Sequence, residues 1–203
     1  MSCLSIKHLR CHHIGPIELE IAGGQCISFS GPSGAGKSIL LRAIIDLIPN
    51  QGEVSFNDQA REQMRASDWR KMVGLLPAES FWWCDRVGAH FPALTEQHLN
   101  WFTELGFDSQ VLDWEVSRCS TGERQRLSLL RLLCHGPKVL LLDEPTANLD
   151  RDSTAKVEKI IAEYKQQHQC PVIWVSHDQQ QVKRVAEQHY VLEQDGQLQK
   201  VAV

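Results

Sequence analysis

Residues 30–38 read Ser30-Gly31-Pro32-Ser33-Gly34-Ala35-Gly36-Lys37-Ser38, and the fold can be inferred outward from this stretch. The mainly apolar residues 27–29 precede it, and residues 39–44, which have the composition of a helix, follow it. A glycine, four further residues and then Gly-Lys-Ser, placed between a strand and a helix, is the spacing of a loop that binds the phosphates of a nucleoside triphosphate. The stretch therefore predicts a phosphate-binding loop.

The residue types in this loop suit phosphate chemistry. Glycines allow successive backbone N–H groups to point at an anion, and the first turn of the following helix adds unpaired donors and the positive end of its dipole. Lys37 would reach the β- and γ-phosphates as a point charge, and the Ser38 hydroxyl would ligate Mg²⁺. The plainer alternative is a glycine-rich turn before an ordinary helix, and the strand and helix on either side argue against it.

Length and composition narrow the class of protein. The chain has 203 residues, which favours one domain over two of full size. Its net charge of −4 provides no broad basic surface, so we expect no nucleic-acid partner. The N-terminus lacks a secretory signal, and the apolar runs are far shorter than the roughly 20 residues of a membrane span, so we expect a soluble protein.

The cysteines and histidines favour a cytoplasmic protein without a zinc site. Seven cysteines are scattered along the chain and never follow C-x-x-C spacing, a pattern typical of reduced thiols. The cluster His8, Cys11, His12 and His13 also matches no zinc-binding spacing.

Hydrophobic patterns predict strands that alternate with helices. Strands are expected at residues 4–9, 17–22, 25–30, 52–56, 72–76, 139–143, 171–175, 190–192 and 198–201. Helices are expected after the loop and ending before Pro49, at 61–71, at 121–133 and around 157–164. Residues 81–118 are aromatic and helical in character and predict a small inserted lobe. The alternation predicts an α/β fold with a largely parallel sheet, in which the apolar run 139–143 is a buried central strand.

Three further motifs follow the phosphate-binding loop. They are Cys-Ser-Thr-Gly-Glu-Arg-Gln-Arg at 119–126, Leu-Leu-Leu-Asp-Glu-Pro-Thr-Ala-Asn-Leu-Asp at 140–150, and Val-Ser-His-Asp at 175–178. In this order, and over nearly the whole chain, they resemble the ATP-binding cassette (ABC) proteins, the ATPase subunits of ABC transporters. The resemblance implies a P-loop NTPase (RecA-like) core with a mainly parallel sheet, an antiparallel β part and a helical lobe. It implies a single ATP-binding domain over 1–203, with the core at about 1–78 and 121–203 and the lobe at about 79–120.

The resemblance also implies the site residues, with ATP and Mg²⁺ as cofactors. The implied ATP-binding residues are Gly31, Pro32, Ser33, Gly34, Ala35, Gly36, Lys37, Ser38 and Ile39. Ser38 and Asp143 would hold Mg²⁺, Lys37 would contribute to catalysis, Glu144 would act as general base, and His177 would contact the γ-phosphate. The carboxyl ends of parallel strands, where these acidic and histidine side chains are predicted, are where α/β sheets bind ligands.

Three further residues are implied to act in trans, at the contact with a second subunit. Ser120 and Gly122 begin a predicted helix in the other lobe, and in the family they complete the ATP site of a partner copy. The implied assembly is a head-to-tail homodimer with two ATP molecules at its interface, along which Asp150 would lie. ATP would close this dimer and hydrolysis would release it.

The chain departs from the family pattern in three places. Ala78 stands where a glutamine is usual, so either Glu79 replaces it, as a candidate Mg²⁺ ligand, or hydrolysis is slow, since one lost transition-state contact costs about 2.7–4 kcal/mol. Cys119 and Thr121 replace the usual leucine and glycine of their motif. The aromatic residue that usually stacks on adenine is missing, and either His12 or His13 stacks there or both are surface residues.

The resemblance implies a membrane partner. In the family, a groove between core and lobe receives a short helix of an integral membrane permease, which places the subunit on the cytoplasmic face of the membrane. Trp82 and Trp83, just after Phe81, are predicted to dock this partner. The other lobe aromatics are predicted to form its core: Trp101, Phe102 and Trp114. The alternatives are a soluble ABC ATPase acting on a non-membrane partner and a weakly hydrolysing nucleotide switch. In this family the permease selects the transported substrate.

Overall fold

The computed structural model describes residues 2–202 of the chain, so Met1 and Val203, the two ends of the predicted domain, lie outside it. The strands are β1 (Cys3–Cys11), β2 (Ile14–Ala22), β3 (Cys26–Ser30), β4 (Gln51–Phe56), β5 (Gln59–Ala60), β6 (Val73–Leu76), β7 (Val139–Asp143), β8 (Val172–Val175), β9 (Gln188–Leu192) and β10 (Leu198–Val201). The α-helices are α1 (Lys37–Ile44), α2 (Ala66–Met72), α3 (Glu96–Glu104), α4 (Thr121–Cys134), α5 (Arg151–His168) and α6 (Gln179–Val185). None of the described helices has the length and apolar character needed to cross a membrane.

One sheet is antiparallel and contains the N-terminal strands. Its order is β2-β1-β4-β5, and all of its paired neighbours run in opposite directions. Along β2, Ile17, Leu19 and Ile21 are buried while Glu18 and Glu20 are exposed. This alternation is that of a strand with one buried face, and the strand expected at 17–22 is confirmed.

The larger sheet has the order β10-β9-β3-β8-β7-β6. Every neighbouring pair is parallel except β9 with β10, the strands expected at 190–192 and 198–201, which form an antiparallel hairpin. Strands β3 and β7 lie inside this sheet and are buried at all positions, as expected of parallel strands covered on both faces. The predicted α/β fold with a mainly parallel sheet is confirmed.

The parallel sheet separates two hydrophobic clusters. Alternate residues of β7 point to opposite faces, so Val139 and Leu141 join one cluster and Leu140 and Leu142 join the other. The first cluster includes the antiparallel sheet, α1 and Trp69 of α2. The second includes α3, α4 and α5. Both faces of the sheet are therefore covered by apolar side chains. Polar residues lie where the strands end.

The segment between β6 and α4 is less helical than the sequence predicts. Only α3 is α-helical, and the rest of its regular structure consists of 3₁₀ turns at Val87–His90, Ser109–Asp113 and Val116–Arg118. Trp101 and Phe102 are buried, as predicted, whereas Trp114 is only half-buried and lies under the Arg118 guanidinium.

Three further elements differ from the sequence prediction. The helix expected at 61–71 begins only at Ala66, because Arg61–Gln63 form a 3₁₀ turn ending in extended backbone at Met64. The short strand β5 and the helix α6 had not been predicted.

Candidate functional site

The predicted phosphate-binding loop follows β3 and leads directly into α1. Gly31, Gly34 and Gly36 all have positive φ, which side chains other than glycine rarely adopt. A Cβ on Gly31 would lie 2.2 Å from the Leu192 carbonyl oxygen, so this glycine lets the loop rest on β9. A Cβ on Gly34 would meet nothing within 4 Å, so the loop is open on that side.

Lys37 crosses the base of the loop from the first turn of α1. Its Nζ donates to the carbonyl oxygens of Gly31 at 2.9 Å and Pro32 at 3.0 Å. Burial lowers the pKa of Lys37, because water that would stabilise the charged amine is excluded, while the nearby carboxylates of Glu144 and Asp143 oppose this shift. The Lys37 ammonium therefore lies near both the loop carbonyl oxygens and the two acidic side chains.

The acidic residues lie at the carboxyl end of β7. Asp143 is the last residue of the strand and is buried, and Glu144 follows with a left-handed backbone at φ 50°. Such strained backbone in a residue with a side chain is concentrated at functional sites. The Glu144 N–H donates to the Val175 carbonyl oxygen at 3.2 Å, which ties the residue to the adjacent β8.

His177 follows β8 and lies beside Glu144. The His177 Nε2 and the Glu144 Oε1 are 3.2 Å apart, and both side chains are partly exposed. Since β3, β7 and β8 are parallel neighbours, their carboxyl ends bring the loop, the two acidic residues and the histidine to one edge of the sheet. Sequence spacing predicted this group, and the structure brings these residues together.

The sequence offered no role for Gln125, which the structure places behind Glu144. Gln125 is buried on α4, and its Nε2 donates to the Glu144 carbonyl oxygen at 3.2 Å. The signal in the sequence was a glutamine on a helix face rich in leucine, because a buried amide needs a hydrogen-bond partner.

Ser120 caps the N-terminus of α4 and is exposed. Its Oγ accepts a hydrogen bond from the Glu123 N–H, and the Glu123 Oε2 accepts one from the Ser120 N–H at 2.7 Å. This second hydrogen bond lowers the pKa of Glu123. A Cβ on Gly122 would lie 3.2 Å from the Asn148 carbonyl oxygen, so α4 begins against the loop that follows Glu144.

Asp150 caps α5 at the end of the same loop. It accepts hydrogen bonds from the Ser153 N–H and Oγ, both at 2.9 Å, and these bonds lower its pKa. Ser120 and Asp150 thus have structural roles as helix caps in a single copy of the chain, and their exposure leaves both available to a second molecule.

The residues that depart from the family pattern lie around this group. Ala78 and Glu79 follow β6, whose Leu76 is paired with Leu142 of β7. Glu79 is exposed and forms no ion pair within residues 2–202.

Of the two histidines considered for stacking on adenine, His13 is the one near the phosphate-binding loop, since a Cβ on Gly36 would lie 3.7 Å from its Cε1. His12 instead lines a separate cavity of about 330 Å³.

The sequence predicts that Trp82 and Trp83 dock a partner in the groove beside the inserted lobe. In the structure, the aromatic residue that lines this groove is Phe81. A cavity of about 760 Å³ is lined by residues of α1, α2, β6 and α4 and by Phe81, whereas Trp82 and Trp83 are not among its lining residues. Both tryptophan rings instead lie against the Arg131 guanidinium, at 4.6 and 4.9 Å from ring centre to Cζ. Trp82 is half-buried and Trp83 is 71% exposed.

A Gly-rich loop after an inner strand of a parallel sheet, with a buried aspartate ending a second strand, defines the chain as a P-loop nucleoside triphosphatase. The sequence model of the family described as "ABC transporter" matches residues 14–147. The chain belongs to the ABC transporter family, as an ATP-binding subunit that hydrolyses ATP.

Relatives and a solved structure agree with this family. The phosphate import ATP-binding protein PstB of Aeropyrum pernix is 35% identical over 87% of this chain and 79% of its own length. The probable iron export ATP-binding protein FetA of Escherichia coli is 30% identical over 82% of this chain and 78% of its own. A bacterial Atm1-family ABC exporter with ATP bound shares the fold, with a TM-score of 0.82 at 20% identity; 95% of this chain corresponds to 37% of that one.

Proposed function

We propose that this ATPase subunit works as a head-to-tail homodimer on the cytoplasmic face of a membrane and drives substrate movement through an integral membrane permease. The hydrolytic part of this proposal is carried by the pairing of Glu144 with His177, 3.2 Å apart, at the sheet edge that also bears the phosphate-binding loop. A carboxylate held by a histidine beside a phosphate site has the geometry of a general base for water attack.

The site residues have distinct roles in this proposal. Backbone N–H groups of the loop 31–38 hold the phosphates, and Lys37 exchanges its two carbonyl partners for phosphate oxygens. Glu144 orients the attacking water and accepts its proton, and His177 holds the Glu144 carboxylate and the γ-phosphate. His13, near Gly36, is the candidate for stacking on adenine.

The oxygen ligands at this edge fit Mg²⁺. The partly buried Ser38 lies in the first turn of α1, and the buried Asp143 ends β7 near Lys37, so a hydroxyl and a carboxylate are available to one site. These are the hard ligands that Mg²⁺ prefers, and the ion would neutralise charge on the β- and γ-phosphate oxygens. Glu79, exposed beyond β6, is a further candidate ligand.

The groove lined by Phe81 is the proposed docking surface for the permease. Leu47 and Phe81 are 51% and 70% exposed, and Arg42, Arg70 and Lys71 surround them. Exposed apolar anchors within a basic rim suit a short helix with apolar and acidic side chains. The tryptophans predicted to dock the partner lie beside this groove, so we assign the anchoring role to Phe81.

The hydrolytic role is tested with the purified protein and Glu144→Gln. Removing the general base is expected to lower the rate of ATP hydrolysis by at least about a hundredfold, with ATP affinity retained. Steady-state ATPase assays and nucleotide-binding titrations measure both quantities. Equal rates for the two proteins would refute the role of Glu144.

The same assay tests the alternative of a nucleotide switch, which is suggested by Ala78 in place of the usual glutamine. Turnover near zero in the wild type would favour this alternative. Glu79→Ala tests whether Glu79 replaces that glutamine.

The partner is tested by purifying the tagged protein from native membranes. An integral membrane protein is expected to co-purify with the wild type and to be lost with Phe81→Asp, because a charge would be buried in the groove. Leu99→Asp, at a residue 41% exposed on α3, is the matched control and should retain the partner. Recovery of a soluble partner alone would instead support a non-membrane ABC ATPase.

A further inference from the structure

Gln181 of α6 is 3% exposed and has a hydrogen-bond partner at every position of its side-chain amide. Its Oε1 accepts from the Ser176 Oγ at 2.9 Å and from the Trp174 Nε1 at 3.3 Å. Its Nε2 donates to the Thr146 Oγ1 and to the Glu158 Oε1, both at 2.8 Å. These four partners come from β8, the loop after it, the loop after β7 and helix α5, and they converge on one amide.

The orientation of this amide is determined by two of its partners. The indole N–H of Trp174 can only donate, so the amide oxygen must face it, and an ionised Glu158 can only accept, so the amide nitrogen must face that side. A glutamate at position 181 would place a second carboxylate against Glu158, and an apolar residue would leave buried partners unpaired. The site therefore requires an amide.

Two of the partners belong to the loops that carry the proposed catalytic pair. Thr146 is two residues after Glu144, and Ser176 immediately precedes His177. A cavity of about 310 Å³ is lined by residues from both loops and by Gln181 itself. One buried side chain thus connects the loop that holds Glu144 to the loop that holds His177, through the hydroxyl groups of Thr146 and Ser176.

We propose that Gln181 is a positioning residue for ATP hydrolysis, which keeps the Glu144 and His177 loops at the separation seen in the structure. The inference rests on the proposed roles of Glu144 and His177. The connection also reaches the surface, because Glu158 pairs with Arg184 of α6, with Nη2 to Oε1 at 2.8 Å and Nε to Oε2 at 3.0 Å. The α5–α6 surface and the catalytic loops are thereby joined through one amide.

The inference is tested with Gln181→Glu, which preserves size but removes the donor to Thr146 and repels Glu158. Because a displacement of about 1 Å at a reacting group costs up to about a hundredfold, kcat is expected to fall by about tenfold to a hundredfold. The KM for ATP should stay within about twofold, because Gln181 contacts none of the loop 31–38. Gln180→Glu adds the same charge at an exposed neighbouring position and should behave like the wild type.

A second substitution tests whether repulsion by Glu158 causes the loss of kcat. With Glu158→Gln added to Gln181→Glu, the amide at 158 donates to the new carboxylate and the Thr146 hydroxyl can donate as well, so kcat is expected to recover at least about fivefold. If Gln181→Glu does not fold, Thr146→Val removes one arm of the connection and should lower kcat with KM retained.

The outcomes separate this inference from the proposed function. If Glu144→Gln abolishes hydrolysis while Gln181→Glu and Thr146→Val keep wild-type kcat, the positioning role is wrong and the proposed function stands. If Glu144→Gln hydrolyses ATP like the wild type, the proposed catalytic pair itself is wrong. A loss of kcat in Gln181→Glu that Glu158→Gln does not relieve also overturns the inference.

Discussion

At the scale of single residues, the loop uses glycine for two different physical reasons. Gly31 has a φ of 135° and no room for a Cβ, because the Leu192 carbonyl oxygen would be 2.2 Å away. Gly34 has a φ of 81° but open space around the position of a Cβ. The first glycine is required by packing within the chain, and the second is placed where a ligand can approach the backbone closely.

This contrast predicts that alanine affects different properties at the two positions. At position 34 it should mainly weaken ATP binding, and at position 31 it should mainly lower stability. Gly34→Ala is expected to cost only about 1–2 kcal/mol of stability, from the left-handed backbone, but to weaken ATP binding at least about tenfold, because a methyl group displaces phosphate from charge-assisted N–H contacts. Gly31→Ala is expected to destabilise the fold more strongly. Urea unfolding and nucleotide titration measure the two effects. Wild-type ATP affinity in a folded Gly34→Ala protein would contradict the placement of the phosphates.

Sequence motifs predicted the residues that carry charge at this site but not the buried amides that hold them. Asp143, Glu144 and His177 follow apolar strands, and the shared edge of a parallel sheet then brings them together. Gln125 and Gln181 were not predicted, because a hydrogen bond between distant segments leaves no local spacing in the chain. Both are buried with their partners supplied by other elements.

At the scale of elements, buried strands were predictable and short amphipathic pieces were not. The uninterrupted apolar run of β7 indicates burial on both faces. Helix α6 buries only Gln181 and Val182, so its sequence carries little hydrophobic periodicity. The two residues of β5 are too few for any alternation to show. The division into core and lobe at about residues 79 and 120 stays a prediction.

Helix α4 depends on a capping box whose strength varies with pH. The pKa of Glu123 is lowered by the hydrogen bond from the Ser120 N–H, so the ionised form is favoured in the folded state. Its contribution to stability is complete above the unfolded-chain value of 4.5 and is lost as the pH falls through the lower folded-state pKa.

Glu123→Gln is therefore expected to be less stable than the wild type near pH 7, by about 0.5 kcal/mol, because the ionised carboxylate also interacts with the N-terminal end of the α4 dipole. The difference should shrink towards zero as the pH is lowered through the folded-state pKa of Glu123, which lies below 4.5. Urea unfolding between pH 7 and this acidic range measures it. Glu20→Gln, an exposed charge on β2, is the control. A difference that does not depend on pH would contradict the role of the charge.

At the scale of the whole molecule, the site is open on one side. Ser33 and Gly34 are exposed, so the phosphate-binding loop of one copy leaves a face that another molecule can cover. Ser120 is the exposed cap of α4, a 14-residue helix whose N-terminal end attracts anions. Docking Ser120 of one copy on the phosphates of the other would complete both sites through one twofold contact, which is the basis of the proposed homodimer.

A pair of substitutions at Ser120 tests this assembly without removing the helix cap, since Asp and Asn are both strong N-cap residues. In a Glu144→Gln background, which retains ATP, Ser120→Asp is expected to raise the dimer dissociation constant more than about a hundredfold, because a like charge facing phosphate costs several kcal/mol. Ser120→Asn, of similar size and neutral, should weaken the dimer far less. Sedimentation with and without ATP and Mg²⁺ measures both constants. Equal ATP-dependent dimerisation of the two variants would mean that Ser120 does not face the phosphates of a second copy, and the head-to-tail arrangement would then be wrong.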